Sequence, residues 1–304
     1  MKKKTILITG ATGLIGQEVV KACHQKGYIV HYLSTSKSKL ESKDNYKGFF
    51  WNPDQNEIDE TCFEGVEAII NLVGASISKR WTDDYKQEIL NSRTKTAELL
   101  IETIKKHNFS IEQIVSASAI GVYPSSSVNY YEEHNSSVSD TFLGTVVQKW
   151  ENAVDDFKSI GVKVAKVRIG LVLAEEGGAL SEIVKPMRFG LGAAFGSGEQ
   201  WQSWIHVEDL ARLFVHVLDD ELEGVYNGVA PNPVTNSELT KTAAKVLNKP
   251  LFLPNIPKVA MNLVLGEMHI LLFESQRVSS GKIEGEGFQF KFHHIEPALK
   301  DLLT

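Results

Sequence analysis

The feature that most constrains the fold of this 304-residue chain is the octapeptide Thr9-Gly10-Ala11-Thr12-Gly13-Leu14-Ile15-Gly16. It lies between an apolar run, Thr5 to Ile8, and a helix-forming stretch, Gln17 to Lys26. Glycines at this spacing answer three separate demands of a strand–turn–helix unit. Gly10 permits the tight turn, Gly13 lets backbone come within contact distance of a pyrophosphate, and Gly16 lets the helix pack closely on the strand. The helix N-terminus then offers amides and the positive end of its dipole to the phosphates. A turn that merely joins strand to helix is the alternative, and the position directly behind the first strand argues against it. The residues predicted to hold a dinucleotide here are Gly10, Thr12, Gly13, Leu14, Ile15 and Gly16.

The following sequence continues the same grammar. Short β-branched runs at Ile29 to Leu33 and, after an irregular connection, Ala68 to Leu72 read as strands. A helix follows around Asp83 to Lys106, a strand at Gln113 to Ser116, a helix around Leu143 to Ser159 and a strand at Val162 to Arg168. Nearly continuous apolar strands are what a parallel sheet covered on both faces requires. The predicted class is therefore α/β, a Rossmann doubly wound parallel sheet. After Arg168 glycine becomes frequent, between Gly177 and Gly198, and loops replace the alternation. One more strand, Gly224 to Val229, can return to the sheet, while Ser237 to Leu247 and Lys258 to Phe273 read as helices outside it. This predicts a cofactor-binding core of residues 1–170 plus about 206–230, with a smaller discontinuous C-terminal substrate lobe of about 171–205 plus 231–304. The apolar stretch Val259 to Phe273 reads as core first, with a cleft wall or partner surface as the other readings.

Composition removes several classes. With 42% hydrophobic and 23% charged residues the chain is ordinary globular protein, and its net charge of −6 with scattered basic residues presents no surface for nucleic acid. Cys23 and Cys62 form no Cys-x-x-Cys pair, which excludes a disulfide framework and a structural zinc site and suits a reducing, cytoplasmic setting. No metal site is expected. The basic start Met1-Lys2-Lys3-Lys4 is followed only by Ile6-Leu7-Ile8, too little for a signal peptide, and the stretch from Val259 is interrupted by Asn262, Glu267 and His269. No membrane segment is expected.

An acidic residue at the end of the second strand would hold the ribose hydroxyls of NAD and repel the extra phosphate of NADP. None is there. The strand runs into Ser34-Thr35-Ser36-Lys37-Ser38-Lys39, and Thr35, Ser36 and Lys37 are predicted 2′-phosphate contacts, which favours NADP (NADPH) over NAD. A solvated polar loop is the alternative. A second cofactor contact is predicted at Leu72, Val73 and Gly74, where an apolar strand ends in a small-residue turn at the carboxyl edge of the sheet.

Further segments resemble a known group, the atypical extended short-chain dehydrogenase/reductases. These are relatives of the NAD-dependent epimerase/dehydratases, described as epimerase family proteins of unassigned substrate and sometimes as cell-division inhibitors. The resemblance is carried by Ser92-Arg93 with Thr96, by Ser116-Ala117-Ser118-Ala119-Ile120-Gly121, by Trp150-Glu151 and by Val167 to Leu173. It continues through Gly196-Ser197-Gly198, Gln200 to His206 with Asp209, Asn227 with Ala230 to Asn236, and Gly287-Phe288-Gln289-Phe290. It spans essentially the whole chain. Departures occur at Pro124, at Ala193-Ala194 where glycines are usual, and at Ser279-Ser280 where a proline is expected.

The resemblance implies a tyrosine acid/base, a lysine four residues later that lowers its pKa, and a serine or threonine that holds the reacting oxygen, the first two on one helical face. Ser118 matches the serine. Counting back eight residues from Glu151 puts Leu143 in the tyrosine position and Val147 in the lysine position, and neither carries a proton. Thr145 and Lys149 have the right interval, but an aliphatic hydroxyl is far less acidic than a phenol of pKa ~10. Tyr123, on the loop expected to face the nicotinamide, is the other catalytic candidate beside Ser118. Arg168 and Ile169 are counted with the cofactor contacts, and Arg93, Trp201, Trp204 and His206 with the substrate. For the tryptophans, anchoring of the second lobe is an equal reading. The expectation is an NADP-binding oxidoreductase or epimerase-like enzyme for a small polar, possibly nucleotide-sugar-like molecule. The alternative is a catalytically silent NADPH-binding regulatory protein. Extended relatives often dimerise through sheet-flanking helices, which leaves a homodimer open.

Overall fold

The computed structural model describes residues 3–304. The apolar runs form β1 (Thr5–Thr9), β2 (Ile29–Ser34), β3 (Tyr46–Asn52), β4 (Val66–Asn71), β5 (Gln113–Ala119), β6 (Lys163–Ile169) and β7 (Gly224–Gly228). All seven lie in one sheet in the order β7-β6-β5-β4-β1-β2-β3, parallel throughout. Two-residue antiparallel strands, Ser42–Lys43 and Glu57–Ile58, attach to β3. The order reverses at β1, which pairs with β2 on one side and β4 on the other. A crevice opens at the carboxyl ends of the strands at such a reversal.

Three helices follow from the expected pattern, α1 (Leu14–Gln25), α2 (Asp83–His107) and α3 (Phe142–Asp155), and a further helix not singled out from the sequence, α5 (Val207–Asp219), packs beside α1. Thr82 caps α2 by accepting the Tyr85 amide, and Thr141 caps α3 by accepting that of Gly144. Each cap satisfies an amide that the helix itself leaves free. The core between sheet and helices includes Ile6, Ile8, Ile69, Ile70, Val115, Val164 and Phe214, all at most 3% exposed.

Two elements escape the sequence pattern. The irregular connection holds β3, whose alternation is interrupted by Lys47 and Gly48. The glycine is there because a Cβ at that point would lie 2.4 Å from the ring of Tyr32 on β2. The glycine-rich stretch holds α4 (Gly178–Arg188), which is entered through Gly177 and Gly178 and carries Pro186 inside it. With α6 (Asn236–Val246) and a last helix, α8 (Ile295–Leu303), α4 encloses a second cluster built from Leu180, Trp204, Leu239, Phe292 and Leu299.

Between those helices the stretch from Lys258 is broken. Gly266, at φ 58, ends α7 (Lys258–Leu265), and a short helix, Ile270–Phe273, follows a single 3-10 turn. This stretch is not the core expected of it: Val259 is 72% and Leu263 80% exposed. Further on, Ile283, Phe288 and Phe290 pack into the core of the sheet, so a segment assigned to the smaller lobe returns to the larger one. Among the described residues no helix is long and apolar enough to cross a membrane.

Candidate cofactor and substrate site

The ends of β1 and β4 are tied together by one hydroxyl. Thr9 Oγ1 accepts the amides of Leu72 (3.0 Å) and Val73 (3.2 Å) and donates to Asn71 Oδ1 (2.7 Å), and Asn71 Nδ2 reaches Ser116 Oγ on β5 (3.0 Å). The glycine loop follows at once. Gly10 takes φ +70, and a Cβ there would stand 3.1 Å from the Leu72 carbonyl; at Gly16 a Cβ would lie 2.1 Å from the Gly10 carbonyl oxygen. Gly13 is different. It is exposed, and a Cβ would meet only the Gly10 oxygen, at 3.3 Å.

Gly13 is also the N-cap of α1, with no side chain capping the helix and no acidic residue in its first turn. The positive end of the helix therefore faces outward, open and without a competing carboxylate. A bare backbone cradle of this kind fits a pyrophosphate.

At the end of β2 the side chains organise a small polar turn. Ser34 Oγ accepts the Ser36 amide (3.1 Å), and Ser36 and Ser38 share a hydroxyl–hydroxyl contact (2.9 Å). Lys37 lies with its ammonium 4.8 Å from the Phe50 ring, and the nearby Glu41 is engaged by Lys43 instead. Thr35 and Lys37 are exposed. The turn presents hydroxyls and, among the described residues, lysine ammonium groups that no carboxylate engages.

A cavity of about 200 Å³ opens at the carboxyl edge of the sheet, between α3 and the segments carrying residues 201–203 and 271–276. Its walls include Leu143 and Val147 of α3, Ile169 at the end of β6 with Gly170 after it, and Trp201 with Leu271. Arg93 of α2 enters the same space. Its guanidinium donates to the carbonyls of Ala75 (3.3 Å) and Ile89 (2.8 Å) and lies 5.0 Å from the Trp150 ring. No carboxylate neutralises it, and burial lowers its pKa to about 10. A desolvated cation held only by neutral carbonyls is a ready partner for an anion. Trp150, also in the wall, leaves its indole N–H without a hydrogen-bond partner.

Behind the wall runs a fully engaged polar chain. Ser118, 2% exposed, donates to Glu151 Oε1 (2.6 Å), and Arg168 grips both oxygens of the same carboxylate (2.8 and 2.9 Å). Arg168 also donates to the Tyr123 hydroxyl (3.0 Å), which donates to Asn227 Oδ1 (2.9 Å). Burial opposes ionisation of Glu151, but the hydrogen bonds and charge of Arg168 outweigh it and hold the carboxyl below its ordinary value. For Tyr123 burial dominates and raises the phenol.

These placements differ from several sequence expectations. Ser118, Tyr123 and Arg168 do not line the cavity, and the Arg168 guanidinium is engaged by Glu151 and Tyr123. Successive side chains of a strand point to opposite faces, so Ala119 and Ile169 reach the wall while Ser118 and Arg168 turn toward α3. Trp204 is wholly buried in the second cluster, its indole donating to the Asn232 carbonyl (2.9 Å). His206 caps α5 through Nδ1, which accepts the Glu208 amide (3.1 Å), and stacks on Phe292 at 4.0 Å. Neither belongs to the cavity. Arg93 and Trp201 do; Leu72 and Val73 lie against Gly10 of the glycine loop, and Gly74 lies against the Arg93 guanidinium.

One residue of the cavity was not singled out from the sequence. Glu274 follows the helix Ile270–Phe273 and precedes the two-residue strand Arg277–Val278. It is half-buried. Burial pushes its carboxyl up to about 7, Asp140 adds to the shift, and the Gln276 amide at 3.4 Å opposes it. The sequence trace of this residue is a lone acid ending the apolar run Ile270-Leu271-Leu272-Phe273. Among the described residues no group of three or more His, Cys, Asp or Glu is gathered to hold a metal.

Residues 6–228 match the NAD dependent epimerase/dehydratase family, and residues 256–302 match a domain of unknown function, DUF1731. The chain is 35% identical over 305 residues to an epimerase family protein of Staphylococcus saprophyticus, covering 99% of both chains. An epimerase family protein of Staphylococcus aureus is 32% identical over 302 residues, again with 99% of both covered. Among solved structures, the human epimerase family protein SDR39U1, crystallised with NADPH, superposes with a TM-score of 0.84 at 29% identity, covering 98% of each chain. The chain belongs to the NAD dependent epimerase/dehydratase family, alongside its epimerase family proteins.

Proposed function

We propose that this protein is an NADPH-dependent oxidoreductase for a small carbonyl or alcohol substrate that carries an anionic group. The observation that carries the reading is the pairing of an open, uncapped α1 N-terminus with a cavity at the same sheet edge that holds an unneutralised arginine. The amides around Gly13 to Gly16 would hold the pyrophosphate, and Ser36 and Lys37 the 2′-phosphate. Leu72 to Gly74 would line the path toward the cavity. When bound, the dinucleotide supplies hydride chemistry there. Arg93 would fix the negative group of the substrate, and the apolar faces of Leu143, Val147 and Ile169 would keep water from the reacting atoms. The human epimerase family protein SDR39U1, crystallised with NADPH, supports the choice of dinucleotide.

Fluorescence titration of the purified protein with NADPH and NADH tests this reading. NADPH is expected to bind more tightly, and Lys37→Ala to weaken it about tenfold while leaving NADH unchanged. Tighter binding of NADH by the unaltered protein would refute the preference.

The aliphatic pair Leu143 and Val147 favours a second reading, an NADPH-binding regulatory protein without turnover. Transfer of label between stereospecifically deuterated NADPH and NADP⁺ or a carbonyl acceptor separates the two, since a binding protein leaves the label where it was.

A further inference from the structure

The oxidoreductase reading needs a group that gives a proton to the substrate oxygen, and the positions where the family's tyrosine and lysine are expected are Leu143 and Val147. We propose that Glu274 fills this role, delivering its carboxyl proton to the oxygen of the carbonyl held in the cavity. The inference rests on the proposed function and names a catalytic residue within it.

Elimination carries the first half of the argument. Of the side chains lining the cavity, only Arg93 and Glu274 are ionisable, and a guanidinium keeps its proton. The one hydroxyl in the wall, Ser203, already donates to the Gln276 carbonyl (2.8 Å) and accepts the Val278 amide (2.9 Å). Ser118 and Tyr123 lie behind the wall with their protons committed to Glu151 and Asn227. Glu274 alone is free to give one.

Placement carries the second half. The segment that bears Glu274 packs through Ile270 and Leu271 on the cluster containing Leu143 and Val146, so the smaller lobe brings the acid to the face of α3 that lacks one. Among the described residues Glu274 has no ion-pair partner. The charged and polar groups around it are Asp140, the Gln276 amide and, on another wall, Arg93. Desolvation and Asp140 keep the carboxyl protonated up to about pH 7, where a general acid is most effective.

The balance closes with the reduced nicotinamide dinucleotide as reductant. The carbonyl carbon gains a hydride, the π electrons move to oxygen, and oxygen takes the Glu274 proton. The carboxylate left behind is reprotonated from water.

The test uses the full chain, its Glu274→Gln and Glu274→Asp variants, and 4-carboxybenzaldehyde and 2-oxo acids as probes, which combine a carbonyl with an anion. Carbon-13 NMR of glutamate-labelled protein is expected to show one carboxyl titrating near neutral pH, lost in Glu274→Gln. NADPH affinity by fluorescence should stay within twofold in both variants. Single-turnover oxidation of NADPH should fall about 10²–10⁴-fold in Glu274→Gln, with partial recovery in Glu274→Asp. The unaltered rate should decline as pH rises through the NMR midpoint, and the glutamine variant should lose that dependence. Unchanged turnover and pH profile in Glu274→Gln, or a carboxyl titrating at an ordinary value, overturns the role of Glu274 and leaves the oxidoreductase reading intact. Failure of the unaltered protein to bind NADPH, or to oxidise it with any probe, overturns that reading and the inference with it.

Discussion

Gly16 and Gly13 sit three residues apart in one loop, yet alanine at each should fail in a different way. At Gly16 an added Cβ falls 2.1 Å from the Gly10 carbonyl oxygen and 2.7 Å from the Ala11 Cα. Both are backbone atoms, so nothing can swing aside, and the start of α1 must withdraw from β1 by about an ångström to restore an ordinary contact. Overpacking of this kind costs about 3 kcal/mol, offset by about 1 kcal/mol from replacing a helical glycine, for a net loss near 2 kcal/mol. At Gly13 the only neighbour is the Gly10 oxygen at 3.3 Å, and φ −84 suits any residue. Gly13→Ala should therefore change stability by less than about 1 kcal/mol, while its methyl group occupies the space a pyrophosphate needs. Urea unfolding and NADPH titration of both variants separate the effects. Gly16→Ala should lower the unfolding midpoint, and Gly13→Ala should keep it and lose at least tenfold in affinity. A stable Gly16→Ala protein, or a Gly13→Ala protein that binds NADPH normally, refutes the assignment of the two glycines.

Other outcomes follow from buried polar groups. Glu151→Gln leaves Arg168 without its counter-ion and should cost about 3–5 kcal/mol in urea unfolding at pH 7. Because the folded carboxyl lies below its unfolded value, its contribution is present above the unfolded pKa and is lost as pH falls through the folded one; the unaltered protein should weaken in acid, and Glu151→Gln should flatten that slope. Asp209, fully buried, accepts the amides of Lys291 and Phe292 at 2.8 Å each. Asp209→Ala strands both and should cost about 2–4 kcal/mol, with faster proteolytic cleavage near residue 291 as the local readout.

The dinucleotide loop was legible because three glycines each met a separate steric demand within one strand–turn–helix unit, and the contacts at Gly10 and Gly16 bear those demands out. The parallel sheet was legible for the same local reason. Strand β3 and helix α4 were not. Gly48 and Pro186 break the hydrophobic period, and what permits them is a neighbour, Tyr32 across the sheet in the first case, that no local window contains. The chemistry beyond the loop was harder still. Which face of β5 Ser118 takes, and that Glu151 and Arg168 wait on that face, depend on the pairing of strands far apart in sequence. Glu274 reaches α3 only through the folding of the smaller lobe onto the larger. His206 and Trp204 carry the marks of site residues, but burial gives them caps and core contacts instead.

The chain from Ser118 to Asn227 also limits what could be retrofitted here. Leu143→Tyr with Val147→Lys would put the usual pair back on α3, but no serine would greet it. The Ser118 proton belongs to Glu151, the carboxylate that Arg168 also grips, so Ser118 and Arg168 together tie α3 to β5 and β6. The rear of the cavity is therefore frame rather than tool. A designer seeking new reactivity in this scaffold would leave that frame alone, and with it Leu271, Ser275 and Gln276, which pack on α3 or bond to the loop around Tyr123, and would work instead at Glu274.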